Sequence, residues 1–150
     1  MEAIAFELET IINDYWPQLD RIPLDESGYK ASPSKWSKKE IIGHLIDSAQ
    51  NNIRRFITAQ YEEDPKIVYN QDLWVTKNDY QSYDLTDLVS LWQLLNKQII
   101  HILRNMPAEM FQRTCQAGQI HTIEWLAGDY IKHLKHHLHQ VLNLSPIAYP

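Results

Sequence analysis

Cysteine is almost absent from this chain: Cys115 is the only one in 150 residues. One thiol cannot close an internal disulfide, which agrees with a reducing compartment. Glycine is scarce too, at four residues, and an all-β fold needs many tight turns. No apolar run approaches the roughly 18 residues of a membrane span, so no membrane partner is expected. The start, MEAIAFELET, lacks the basic residues that open a signal peptide. The chain is therefore read as cytoplasmic. Positive charge is in deficit, with 14 Lys and Arg against 19 Asp and Glu. That balance gives no reason to expect nucleic acid as a partner. Several catalytic signatures are missing as well. There is no Glu-x-x-His pair of the di-iron bundles, no H-E-x-x-H, no P-loop, no G-x-G-x-x-G and no G-x-S-x-G.

What is present is ordinary globular composition, 44% hydrophobic and 22% charged, enough for one domain over residues 1–150. The pattern is helical. Within 2–16, Ile4, Leu8, Ile11 and Tyr15 form one amphipathic stripe, which Pro17 and Pro23 interrupt. A long connection follows, through about Lys35. Ser37 with Glu40 is a capping-box pattern, and a second helix is predicted from Ser37 to about Tyr61. Residues 62–83 read as an irregular loop rich in aromatics. A loop that long in a compact domain usually has a job. Asp84 to about Met106 repeats apolar residues at three and four, and Pro107 ends it. Thr122 caps a fourth helix reaching about Leu142, and Pro146 and Pro150 close the chain. The fold class expected is all-α, a four-helix bundle with long connections.

Seven histidines are the most informative feature. On a wheel of about 100° per residue, Ile123, Leu126, Tyr130, Leu134, Leu138 and Val141 define the inward face of the fourth helix. His137 falls within that sector, and His133 at its edge. His136 and His139 fall opposite and are expected to be solvated. Two imidazoles at i, i+4 can share one cation. They can equally be core histidines, each bonded to a carbonyl or hydroxyl. The second helix divides into three sectors. Ile42, Leu45, Ile46, Ala49, Ile53 and Phe56 are apolar. Asp47, Gln50, Arg54 and Thr58 read as solvent face. His44, Ser48, Asn51 and Arg55 either line a polar pocket or flank the solvent face. Cys115 reads as a bystander.

The run Lys35-Trp36-Ser37, then Gly43-His44-Leu45-Ile46-Asp47-Ser48, then Asn51 and Arg55-Phe56, resembles the DinB-like superfamily, and within it the YfiT-like branch. Tyr69 through Trp74 resembles that branch's tyrosine-to-tryptophan loop. His133-Leu134-Lys135-His136-His137 resembles its terminal H-x-x-H-H motif. The likeness covers roughly residues 1–143. It implies an antiparallel four-helix bundle holding one divalent metal through His44, His133 and His137. The metal would be zinc or nickel, with iron or cobalt also suited. Members are described as metal-dependent hydrolases or as S-transferases using bacillithiol, glutathione or mycothiol, and homodimers are common. Two positions depart from the branch: Gly43, where a second His often stands, and Leu134, where a small residue is usual.

These implications give three functional expectations. The first is a metal-dependent S-transferase that adds a low-molecular-weight thiol to an electrophile. The second is a hydrolase using metal-activated water. The third is a metal- or ligand-binding bundle without turnover. Asn51 and Arg55 are candidates to hold a carboxylate or orient the cosubstrate, and Tyr69 and Trp74 to wall the pocket. Asp129, four residues before His133, is a candidate to orient that ring.

Overall fold

Caps and apolar periods set most of the element boundaries. The computed structural model describes residues 1–149, so Pro150 lies outside the described residues. Helix α1 (Glu2–Leu19) runs through Pro17 and ends two residues later. A proline in the last turn disturbs few helical bonds. After the short α2 (Leu24–Ser27), Ser37 caps α3 (Lys38–Thr58) with the full reciprocal box. Ser37 Oγ accepts from Glu40 N–H at 3.2 Å, and Glu40 Oε2 accepts from Ser37 N–H at 2.8 Å. The stretch expected to be irregular contains α4 (Gln71–Asn78) and a 3-10 turn, Tyr80–Ser82. Asp84 caps α5 (Leu85–Asn105). A small hairpin follows, β1 (Thr114–Ala117) against β2 (Gln119–Thr122), with Thr114 opposite Thr122. Gly118 makes its turn at φ 91°, a conformation glycine adopts freely. Thr122 then caps α6 (Ile123–Val141).

The four long helices form a bundle around a core that includes Leu8, Leu45, Phe56, Trp92, Ile99 and Leu134. Both α1 and α3 pack against α5 and α6. Consecutive long helices α1 and α3 therefore stand diagonally, and α6 lies between them. This order makes α3 and α6 neighbours, although His44 and His133 are 89 residues apart in sequence. Among the described residues, no helix is long and apolar enough to cross a membrane.

The connection over 62–83 is tied down on both sides. Ile67 N–H donates to Gln116 O at 3.0 Å, and Gln116 N–H donates to Pro65 O at 2.9 Å. Arg113 donates from Nε to Ala59 O and from Nη2 to Glu62 O. Further along, Tyr80 lies on α3 at Gly43, where a Cβ would fall inside its ring. Its hydroxyl donates to Asp47 Oδ1 at 2.5 Å. Asp47 is thus fully buried, contrary to the solvent-face expectation. The reason is the connection itself, which covers Asp47 with Tyr80 and Asn78, while Gln50 and Arg54 of the same sector stay exposed.

Beyond α6 the chain turns back along the helix. His136 Nδ1 donates to Ile147 O at 2.6 Å, and His139 Nδ1 donates to Ser145 O at 2.7 Å. His139 Nε2 is 2.8 Å from the Tyr15 hydroxyl. Both histidines are half-buried rather than solvated, and the His136 ring stands edge-on to that of His137 at 4.9 Å.

Candidate metal centre

His133 and His137, one turn apart on α6, meet His44 from α3. Their ligand atoms all lie within 4.8 Å of one another. Nε2 of His44 and Nε2 of His133 are 2.9 Å apart. His137 donates from Nδ1 to Gln140 Oε1 at 2.9 Å, which leaves Nε2 with its lone pair. The ring of His44 packs against Trp36 at 5.0 Å. Its Nδ1 is buried without a hydrogen-bond partner, so packing sets its orientation. Burial lowers the pKa of all three imidazoles, with neighbouring histidines adding to the effect at His44 and His133. The result is about 3 for His44 and about 2 for His133. At neutral pH the cluster is three uncharged nitrogen donors.

A polar cavity of about 300 Å³ opens at His133. Ser48, Asn52 and Arg55 of α3 form one wall, and Tyr69 stands beside them. Asp129 on α6 and Tyr149 from the tail face them. Arg55 grips the connection: Nε and Nη2 both donate to Ile67 O, at 3.1 and 3.0 Å, and Nη1 reaches Asn52 Oδ1 at 3.4 Å. The Tyr69 ring lies 6.0 Å from its guanidinium carbon. A larger cleft of about 610 Å³ beside Tyr29 and Trp36 includes none of the three histidines in its lining.

A family model of the DinB superfamily matches residues 7–141. The chain belongs to the DinB superfamily. Among its relatives is the "Putative metal-dependent hydrolase YfiT" of Bacillus subtilis (strain 168), 29% identical over 114 residues. A relative of the same description from Oceanobacillus iheyensis is 32% identical over 113 residues. Each match covers 73% of this chain and 64% of the relative, so this DinB chain spans less than two thirds of either. The solved structure of YfiT from Bacillus subtilis superposes with a TM-score of 0.83 at 25% identity, over 95% of this chain and 84% of that one. Its four-helix bundle topology is described as unusual, in keeping with the diagonal helix order here. A mycothiol-dependent maleylpyruvate isomerase shares the fold, with a TM-score of 0.72 at 14% identity over 98% of this chain and 61% of that one.

In this DinB bundle the residues singled out from sequence divide. His44, His133 and His137 come together, and Arg55, Tyr69 and Asp129 line the adjoining cavity. Asn51 does not line it. Its amide folds back to Asp47 O at 2.8 Å, and Asn52 lines the wall instead. The stripe is His44, Ser48, Asn52 and Arg55, at i, i+4, i+8 and i+11, which the same wheel could have offered. Trp74 lies outside the cavity, edge-on to Tyr69 at 5.3 Å, and braces it from behind. Asp129 accepts from the Tyr149 hydroxyl at 2.9 Å rather than from His133. The polar group nearest His133 Nδ1 is Ser48 Oγ, at 3.5 Å. Tyr149, whose ring is 5.3 Å from that of His133, was missed because it follows the last periodic element.

Proposed function

We infer that the chain is a metal-dependent enzyme that brings a low-molecular-weight thiol to an electrophile. One observation carries this reading. Three imidazoles held neutral by burial converge beside a cavity that also presents the Arg55 guanidinium, whose hydrogen bonds go to neutral oxygens. The donor set fits a divalent cation, since His44, His133 and His137 each offer one nitrogen and no carboxylate stands among them. Zinc, nickel, cobalt and ferrous iron all suit three nitrogens, with coordination positions left open as in catalytic sites. Such an ion supplies, when bound, positive charge that lowers the pKa of a thiol or a water brought to it.

The chain's own residues do the rest. Arg55 would hold a carboxylate at the end of the cosubstrate away from the histidines, with Tyr69 against its guanidinium. Burial raises the pKa of the Tyr69 and Tyr149 phenols, so both stay protonated and able to donate. Asn52, not Asn51, is the amide available to the ligand. The thiol dependence named for the isomerase of the same fold supports this use of the architecture. The second reading, a hydrolase using water at the same cluster, is favoured by the names of YfiT and its Oceanobacillus counterpart.

Protein purified without added metal is expected to carry about one divalent ion per chain by elemental analysis. His44→Ala, His133→Ala and His137→Ala should lose it, while His136→Ala and His139→Ala should keep it. With a chloro-dinitrobenzene chromophore, turnover should require bacillithiol. The sulfur–carbon bond forms as chloride leaves, and the thiol proton passes to buffer. Hydrolysis of an ester panel at the same rate with and without thiol would select the hydrolase. Inertness in both assays would reject an enzyme.

A further inference from the structure

The cleft of about 610 Å³ beside Tyr29 holds none of the three histidines, yet two of its walls touch two of them. Trp36 packs its ring on that of His44 at 5.0 Å. Gln140 accepts through Oε1 from His137 Nδ1 at 2.9 Å. Both contacts orient an imidazole. His44 Nδ1 is buried without a hydrogen-bond partner, so this ring relies on packing, and Trp36 supplies it from outside the cluster. For His137, Gln140 is the hydrogen-bond partner among the described residues.

The walls favour one kind of occupant. Trp36 and Ile41 give the cleft apolar surface, and Tyr29 lines it while 70% exposed. An aromatic ring left so open still has area to bury. Charge is balanced, Asp25 and Glu26 against Lys35 and Lys38, with Glu26 and Lys38 paired at 2.8 Å. Such a lining selects no net charge. The side-chain amide N–H groups of Gln140 make no hydrogen bond to a described residue and are free to donate. A concave site of this size, with apolar and aromatic walls and a few polar groups, is the usual make-up of a small-molecule site.

We propose that this cleft is a second binding site, for an uncharged planar aromatic molecule with a hydrogen-bond acceptor, and that its occupant and the metal strengthen each other's binding. The ring lies against Tyr29 and Trp36, and the acceptor takes an N–H of Gln140. Trp36, held by the occupant, holds His44 in turn, and Gln140 holds His137. The order that a metal requires of these two imidazoles is then already in place, and coupling of this kind is reciprocal. The site rests on the cleft alone. The coupling rests also on metal binding by the three histidines, and no thiol takes part.

Coumarin serves as the probe, being uncharged and bicyclic with a lactone carbonyl. Octahydrocoumarin keeps the lactone and loses the aromatic ring. In calorimetric titration of the metal-free protein, coumarin is expected to bind about fivefold tighter than its saturated counterpart, the scale of one aromatic contact. Trp36→Leu should remove that preference. So should Tyr29→Ala, which changes an exposed side chain and keeps the fold. Zinc should tighten coumarin binding about fivefold, and coumarin should tighten zinc binding, read by chelator competition, by the same factor. Gln140→Ala should lower that factor while zinc still binds. Equal binding of the two lactones, or a coumarin affinity that Tyr29→Ala leaves unchanged, overturns the aromatic site. Coumarin affinities alike with and without zinc overturn the coupling and leave the metal reading standing. Failure of the unaltered chain to bind zinc overturns the metal reading and the coupling together, and the metal-free titration still decides the aromatic site.

Discussion

Gly43 is where a single atom has the largest foreseeable effect. The ring of Tyr80 fills the space a Cβ would need, and the obstructing atoms belong to the body of the ring, not to a flexible tip. The branch this chain resembles often carries a histidine there, and here that room is taken by Tyr80. Gly43→Ala is expected to cost about 1–3 kcal/mol, the usual penalty of overpacking. In a Tyr80→Ala background the same change should be neutral, or stabilising by up to about 1 kcal/mol, because alanine is the better helix former. Thermal denaturation of the four proteins checks this. Additive losses would mean that the ring is not the obstacle.

At the scale of the element, α3 is buried on more sides than its own sequence reveals. The capping box at Ser37 and the stripe from Ile42 to Phe56 were legible, as were the caps at Asp84 and Thr122. A period fixes which residues share a face. It does not say whether a flank meets water or another segment, and so Asp47 reads as solvent face from the sequence. The hairpin and α4 escaped for a related reason. Four-residue strands and an eight-residue helix with Leu73 exposed are too short to display a period. Of the site, helix spacing pairs His133 with His137 and leaves His44 and Arg55 between pocket and solvent face, the family resemblance adds His44 as a ligand, and Tyr149 and the choice of Asn52 over Asn51 depend on packing.

Burial of Asp47 also has a pH signature. It raises the carboxyl from 3.8 to about 6, against the hydrogen bond from Tyr80. Between those values the folded chain holds a proton that the unfolded chain has released. Ionisation of Asp47 thus weakens the fold as pH rises through that window, by about 2–3 kcal/mol at most. The buried histidines act in the opposite sense. Their folded pKa values lie below the ordinary 6.5, so below that pH the unfolded chain takes up protons that the folded chain refuses. With more histidines than carboxylates involved, metal-free protein is expected to lose stability from pH 6.5 down to 4.5. Asp47→Asn should lose it more steeply, because the compensating group is gone. Urea denaturation across that range decides it, and parallel profiles for the two proteins would refute the buried, raised carboxyl.

At the scale of the whole molecule, the ring order of the helices determines where chemistry can be placed. With α6 inserted between α1 and α3, the last helix completes a cluster that the second long helix begins. His44 and His133 are 89 residues apart, so their meeting closes a long loop. Contacts of that separation tend to form late, after local helices and nearer neighbours are in place. An ion bound there would act as a brake rather than a starter. Saturating zinc in stopped-flow experiments is expected to leave the refolding rate nearly unchanged. It should slow unfolding by close to the whole equilibrium gain, the behaviour of interactions absent from the transition state. If refolding accelerates by the same factor, α3 and α6 dock before the barrier. In the expected case the lifetime of the folded chain, rather than its speed of formation, follows the supply of metal.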